Sequence, residues 1–134
     1  MTPQDQRNIV RRYADSFNRG DLQAVCQCFE PDATIQGVFG AAPLPEARII
    51  WAQLIGCFQT QLQIESMVAE GNLVAARYLE RGRFVAPFRG IQPTNKHYEV
   101  VAMEWFEFGN TGIVRRWGAR DSAAMFRQLG VPPR

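Results

Sequence analysis

The sequence predicts an α+β domain, on three observations. Apolar residues recur at helical spacing from Ile9 to Phe58, long alternating segments follow from Gln61 to Ala119, and one short helical segment closes the chain. The first helix is announced by Thr2 as N-cap, Pro3 at the first helical position and Asp5 in the first turn. Ile9, Val10, Tyr13, Ala14 and Phe17 form its apolar face, and Arg19-Gly20 closes it. Asp21 caps a second, short helix that turns Leu22, Val25, Cys26 and Phe29 inward and is ended by Pro31. Ala33 to Val38 reads as a first strand and Gly40 to Pro45 as a loop. A third helix then carries Ala47, Ile50, Trp51, Leu54, Ile55 and Phe58, a stripe wide enough to pack on a sheet.

From Gln61 the period changes to two. Gln61 to Val68 alternates polar and apolar, Glu70-Gly71-Asn72 turns the chain, and Leu73 to Phe84 runs back as a second long strand. Pro87 to Asn95 is loop by its prolines and glycine. His97 to Phe108 and Ile113 to Ala119 are two further strands joined by Gly109-Asn110-Thr111-Gly112, and Asp121 hands the last strand over to a closing helix.

Size and composition bound what the chain does. At 134 residues it makes one domain, with room for one substantial core. A formal net charge of +2, with the basic residues scattered, argues against a nucleic-acid partner and against a membrane-binding patch. No apolar run approaches a membrane span, and Met1 to Asp5 lacks the basic-then-apolar build of a signal peptide, so a cytoplasmic location is expected. Cys26 and Cys28 are two apart on a helix and face different ways, Cys57 stands alone, and His97 is the one histidine, so no metal site is expected.

Two carboxylates draw attention. Asp121, where a strand meets a helix, sits at the rim of whatever the sheet encloses. That suits an acid/base group, but helix capping alone also explains it and at a single position is the commoner answer. Glu104 lies in a strand whose two faces are both largely apolar. Val100, Ala102, Glu104, Phe106 and Phe108 share one face, and Val101, Met103, Trp105 and Glu107 the other. An acid among phenylalanines is costly unless partnered or neutral. It is either a functional group or the partner of Arg77, Arg81 or Arg83 on the neighbouring strand.

Several stretches carry a family resemblance. Asn18-Arg19-Gly20-Asp21-Leu22 precedes Phe29-Glu30-Pro31-Asp32-Ala33, and then come Phe88-Arg89-Gly90-Ile91-Gln92-Pro93-Thr94, the spaced residues Ile113, Trp117 and Asp121, and Gln128-Leu129-Gly130. In order and spacing they resemble the SnoaL-like polyketide (ester) cyclases, within the superfamily of nuclear transport factor two and ketosteroid isomerase. The resemblance covers nearly the whole chain. It implies a cone-shaped α+β barrel in which a curved, mostly antiparallel sheet wraps around the N-terminal helices and encloses a pocket. It also implies a homodimer through the outer sheet face, and ring closure by aldol chemistry without metal or cofactor. Asp121 falls at the family's catalytic aspartate position, and Glu104 where relatives carry a polar pocket residue. Expected pocket residues are Tyr13, Gln36, Trp51, Tyr78, Phe84, Phe106 and Trp117. The chain departs from the pattern at two histidines, replaced here by Phe84 and Gln36.

The reading that follows is a cofactor-independent acid/base enzyme, for aldol-type cyclisation or isomerisation of a small hydrophobic carbonyl compound or lactone, with Asp121 as the general acid/base and Glu104 assisting. A non-catalytic binding domain for a small hydrophobic ligand is the alternative. An epoxide hydrolase, with an Asp-Arg-Asp group around a water, is a second one.

Overall fold

The computed structural model describes residues 1–38 and 40–132. Helix α1 (Pro3–Asn18) begins at a complete capping box, in which the Thr2 hydroxyl accepts from the Asp5 N–H and the Asp5 carboxylate accepts from the Thr2 N–H. Its buried face is Gln6, Val10, Tyr13, Ala14, Ser16 and Phe17. The short helix α2 (Leu22–Gln27) is capped by Asp21, and strand β1 (Phe29–Gly37) follows. Thus α2 ends before Pro31, which lies inside β1. Strand β2 (Gly40–Pro43) pairs antiparallel with β1 where a loop was expected. With a glycine and a proline in four residues it has little strand propensity of its own, and its place at the sheet edge is where such a segment is tolerated. Helix α3 (Leu44–Phe58) buries Ala47, Trp51, Leu54 and Phe58, and ends at Gln59 in the left-handed conformation.

Strands β3 (Gln61–Glu70), β4 (Leu73–Arg83) and β5 (His97–Phe108) then make an antiparallel meander. Strand β6 (Ile113–Arg120) pairs antiparallel with β5 and parallel with β1, and helix α4 (Ser122–Leu129) completes the fold. The sheet order is β2-β1-β6-β5-β4-β3. β2 and β3 stay apart as its two edges, so the curved sheet remains open and does not close into the barrel the resemblance implied. α1 and α3 cover its inner face, where Val74, Ala76, Tyr78, Tyr98, Val100, Ala102 and Phe106 are buried with Tyr13, Phe17, Trp51 and Phe58. Among the described residues no helix is long and apolar enough to cross a membrane.

Candidate active site

The alternation of β5 is nearly perfect, and it sends Glu104 inward between Ala102 and Phe106. Register decides what surrounds it. On the neighbouring strands Ala76 and Gly118 lie directly opposite Glu104, while Ala102 stands between Tyr78 of β4 and Arg120 of β6. Small and large side chains therefore alternate across the inner face, and the small ones leave a cavity of about 80 Å³ between the sheet and helices α1 and α3. Its walls are mostly apolar, from Phe17, Ile35, Trp51, Leu54 and Leu62. Its polar groups are Tyr13, Thr60, Tyr78, Glu80, Glu104, Arg116 and Arg120.

These polar groups form two assemblies. In the first, Glu104 (8 % exposed) accepts through Oε2 from the Tyr13 hydroxyl at 3.1 Å and from the Arg116 guanidinium. Its Oε1 is buried without a partner, as are Nε of Arg116 and the hydroxyl of Tyr78. In the second, Glu80 (1 % exposed) accepts through Oε1 from Arg120 Nε at 3.0 Å and through Oε2 from the Tyr98 hydroxyl at 2.7 Å. Thr60 Oγ1 lies 2.8 Å from that same hydroxyl. Every oxygen of Glu80 is thus engaged. Burial pushes the hydroxyls of Tyr13, Tyr78 and Tyr98 above their ordinary value of 10.0, and for Tyr98 the Glu80 charge adds to it, so all three are neutral donors at physiological pH.

Of the residues singled out in the sequence, Glu104, Tyr13, Trp51 and Tyr78 line the cavity together. Five others lie elsewhere. Asp121 is exposed and caps α4, its Oδ1 accepting from the Ala124 N–H at 2.9 Å. The last strand runs on to Arg120, so the next residue is already past the cavity wall. Gln36 is exposed because β1 turns its neighbours Ile35 and Gly37 inward. Trp117 (38 % exposed) is on the outer face directly opposite Trp105, since inward parity in β6 belongs to Arg116, Gly118 and Arg120. Phe84 packs 4.9 Å from Phe58 in a separate aromatic cluster with Phe88. Phe106 is fully buried, its ring 5.4 Å from Tyr13, and supports the wall from behind. The arginines expected for Glu104 are also elsewhere. Arg81 pairs with Glu99 at 2.7 Å, and Arg77 and Arg83 are exposed.

Arg116, Arg120, Glu80, Tyr98 and Thr60 were not anticipated. A signal for the first two existed in the same alternation that exposes Trp117, since every second residue counted from Arg116, its neighbour, points in and Arg120 keeps that parity.

Comparison with known proteins agrees with this architecture. The model of the SnoaL-like polyketide cyclase family matches residues 7–129. No curated protein matches the sequence. Among solved structures, AclR of Streptomyces galilaeus, a candidate hydroxylase, superposes with a TM-score of 0.88 at 20% identity, covering 99% of this chain and 89% of that one. IdmH of Streptomyces antibioticus, a candidate polyketide cyclase, gives 0.82 at 25% identity, covering 98% and 100%. A protein of ketosteroid isomerase-like fold from Catenulispora acidiphila, solved with trimethylamine, gives 0.79 at 15% identity, covering 92% and 93%. With a family match running from the first helix to the last, over a fold shared with these structures, the chain belongs to the SnoaL-like polyketide cyclases.

Proposed function

We propose that this protein is a cofactor-independent acid/base catalyst of the cyclase type, acting on a small hydrophobic carbonyl compound or lactone, with Glu104 as its base. The observation that carries this reading is the set of three unpartnered polar atoms, Glu104 Oε1, Tyr78 Oη and Arg116 Nε, on residues that line one largely apolar cavity. Buried polar atoms are ordinarily satisfied, and a group of exceptions in a cavity marks where a ligand supplies the partners. Together they offer one acceptor and two donors, which complements a carbonyl group beside an acidic hydrogen.

In the proposed cycle Glu104 Oε1 takes a proton from the carbon next to the carbonyl, and the electron pair moves to the carbonyl oxygen. The Tyr78 hydroxyl and Arg116 Nε–H donate to that oxygen as its charge develops. The enolate carbon attacks a second carbonyl of the same molecule, a C–C bond closes the ring, and the protonated Glu104 returns its proton to the new alkoxide. A carboxylate with an arginine on it is a modest base. The reading therefore favours substrates whose C–H is already acidified, such as one flanked by two carbonyls. The two glutamates and two arginines of the cavity balance in charge, which favours a neutral ligand over an anion.

The test is a thermal-shift screen of neutral carbonyl compounds and lactones, followed by turnover measurements on the stabilising ones. Glu104→Gln is expected to keep binding and to lower turnover by about 100- to 10,000-fold. A ligand that stabilises both forms with turnover in neither would leave the binding-domain alternative, which the arginine already seated on Glu104 and the surface position of Asp121 favour. The epoxide-hydrolase alternative asks for one arginine between two acids, whereas here Arg116 serves Glu104 and Arg120 serves Glu80.

We also propose that the protein is a cytosolic homodimer. Val101, Met103, Trp105 and Trp117 are exposed together on the outer face of β5 and β6, and a second copy would cover them. Trp105→Glu is expected to shift sedimentation from dimer to monomer, and an unchanged sedimentation coefficient would remove the proposal.

A further inference from the structure

The route by which Arg116 reaches Glu104 is unusual. Arg116 lies opposite Phe106, whereas Glu104 lies opposite Gly118, so the two partners are on a diagonal of the sheet, one inward position apart along β6. To make the pair, the guanidinium must lie back along its own strand and over position 118. Position 118 is a glycine, and a Cβ built there would sit 2.7 Å from Arg116 Nη1, 3.2 Å from its Cζ and 3.4 Å from Glu104 Oε2. The slot that the missing side chain leaves is the one the guanidinium occupies. The backbone at Gly118 is not in the left-handed region, so its conformation does not itself call for glycine. The group in the way is the far end of a flexible side chain, which moves more readily than the backbone.

We infer that Gly118 is a positioning residue, whose absent side chain seats Arg116 on Glu104 and so sets the charge state of the acid that the cavity presents to its ligand. The inference rests on Glu104 being the working acid. Around Glu104, Tyr13 faces the cavity from α1, Tyr78 and Glu80 from β4, Tyr98 packs from β5, and Arg116 and Arg120 come from β6. Of these, only Arg116 and Tyr13 touch its carboxylate among the described residues. With the guanidinium displaced, the carboxylate keeps one neutral donor in a buried place, and its protonated form gains.

The test reads Glu104 directly and needs no substrate. The protein is labelled with carbon-13 at its glutamate carboxyls, and the Glu104 resonance, assigned by its loss in Glu104→Gln, is followed against pH. Gly118→Ala is expected to stay folded and to raise the Glu104 midpoint by about one to three pH units. Arg116→Gln should raise it similarly, and the double variant by no more than Arg116→Gln alone. An unchanged midpoint in Gly118→Ala, a further rise in the double variant, or failure of Gly118→Ala to fold when Arg116→Gln folds would each overturn the inference. A wild type that turns over nothing, with the carboxyl shifts as expected, would remove the catalytic reading and leave the role of Gly118 standing.

Discussion

Two glutamate–arginine pairs with tyrosines beside them share one cavity, and they differ in how completely they are satisfied. Glu80 has both oxygens engaged, by Arg120 and by Tyr98, with Thr60 behind the tyrosine. Glu104 has one oxygen doubly engaged and the other bare, and its arginine and the nearby Tyr78 each keep an unused polar atom. The residue types are the same, so composition does not separate them. A closed network makes the fold specific, whereas an open one leaves a cost that only a ligand relieves. On the function proposed above, the Glu80 group serves the fold and the Glu104 group is the one left open to a ligand.

Alkali acts on both groups at once and should have the largest effect. Tyr13, Tyr78 and Tyr98 are the three tyrosines of the chain, all buried, and burial raises each above 10.0. The folded state then holds protons that the unfolded chain releases above about pH 10, so stability is unaffected below that pH and falls as pH rises beyond it. Tyrosinate absorbance should appear only together with the loss of circular dichroism. Gradual ionisation within an intact fold would mean that the hydroxyls are wet.

Next in size is a break in the closed network. Arg120→Leu strands a fully buried carboxylate and should cost about 3–5 kcal/mol in urea unfolding. A cost under about 1 kcal/mol would show that Glu80 is not held as an ion. The two tyrosines give the sharpest contrast. Tyr98→Phe removes a hydrogen bond to a buried charge and should destabilise by about 1.5–3 kcal/mol, while Tyr78→Phe removes an unpartnered hydroxyl and should leave stability unchanged or raised. Equal costs for both would erase the distinction between the groups. Smallest is Asp121→Ala, which should lower stability by about 1 kcal/mol through loss of the α4 cap and leave turnover per folded molecule unaltered. A large loss of turnover there would return Asp121 to the chemistry.

The sequence carries the inner face of β5 legibly, because twelve alternating residues fix which side Glu104 takes. Tyr13 and Trp51 are legible for a similar reason, each lying on a helical stripe that must face the sheet. Partner choice is not local in this way. Whether Glu104 meets an arginine of β4 or of β6 depends on register, and the answer came from the strand on the other side. Asp121 was legible as a cap, and the structure has it exposed at the start of α4, outside the cavity lining. Phe84 and Phe106 are aromatic residues that composition cannot separate from cavity-lining ones, because packing behind a wall and forming it need the same side chains.

The sheet order has a consequence for how the molecule is made. β6 is the last strand to be synthesised, yet it is laid between β1, the first, and β5. Until it arrives, the β1–β2 hairpin and the β3–β5 meander have no backbone contact with each other in the sheet. Before β6 is in place, each of the two sheet halves has a bare inner edge. Joining them through β6 is a long-range pairing, the kind of step that is slow and open to competition from neighbouring chains.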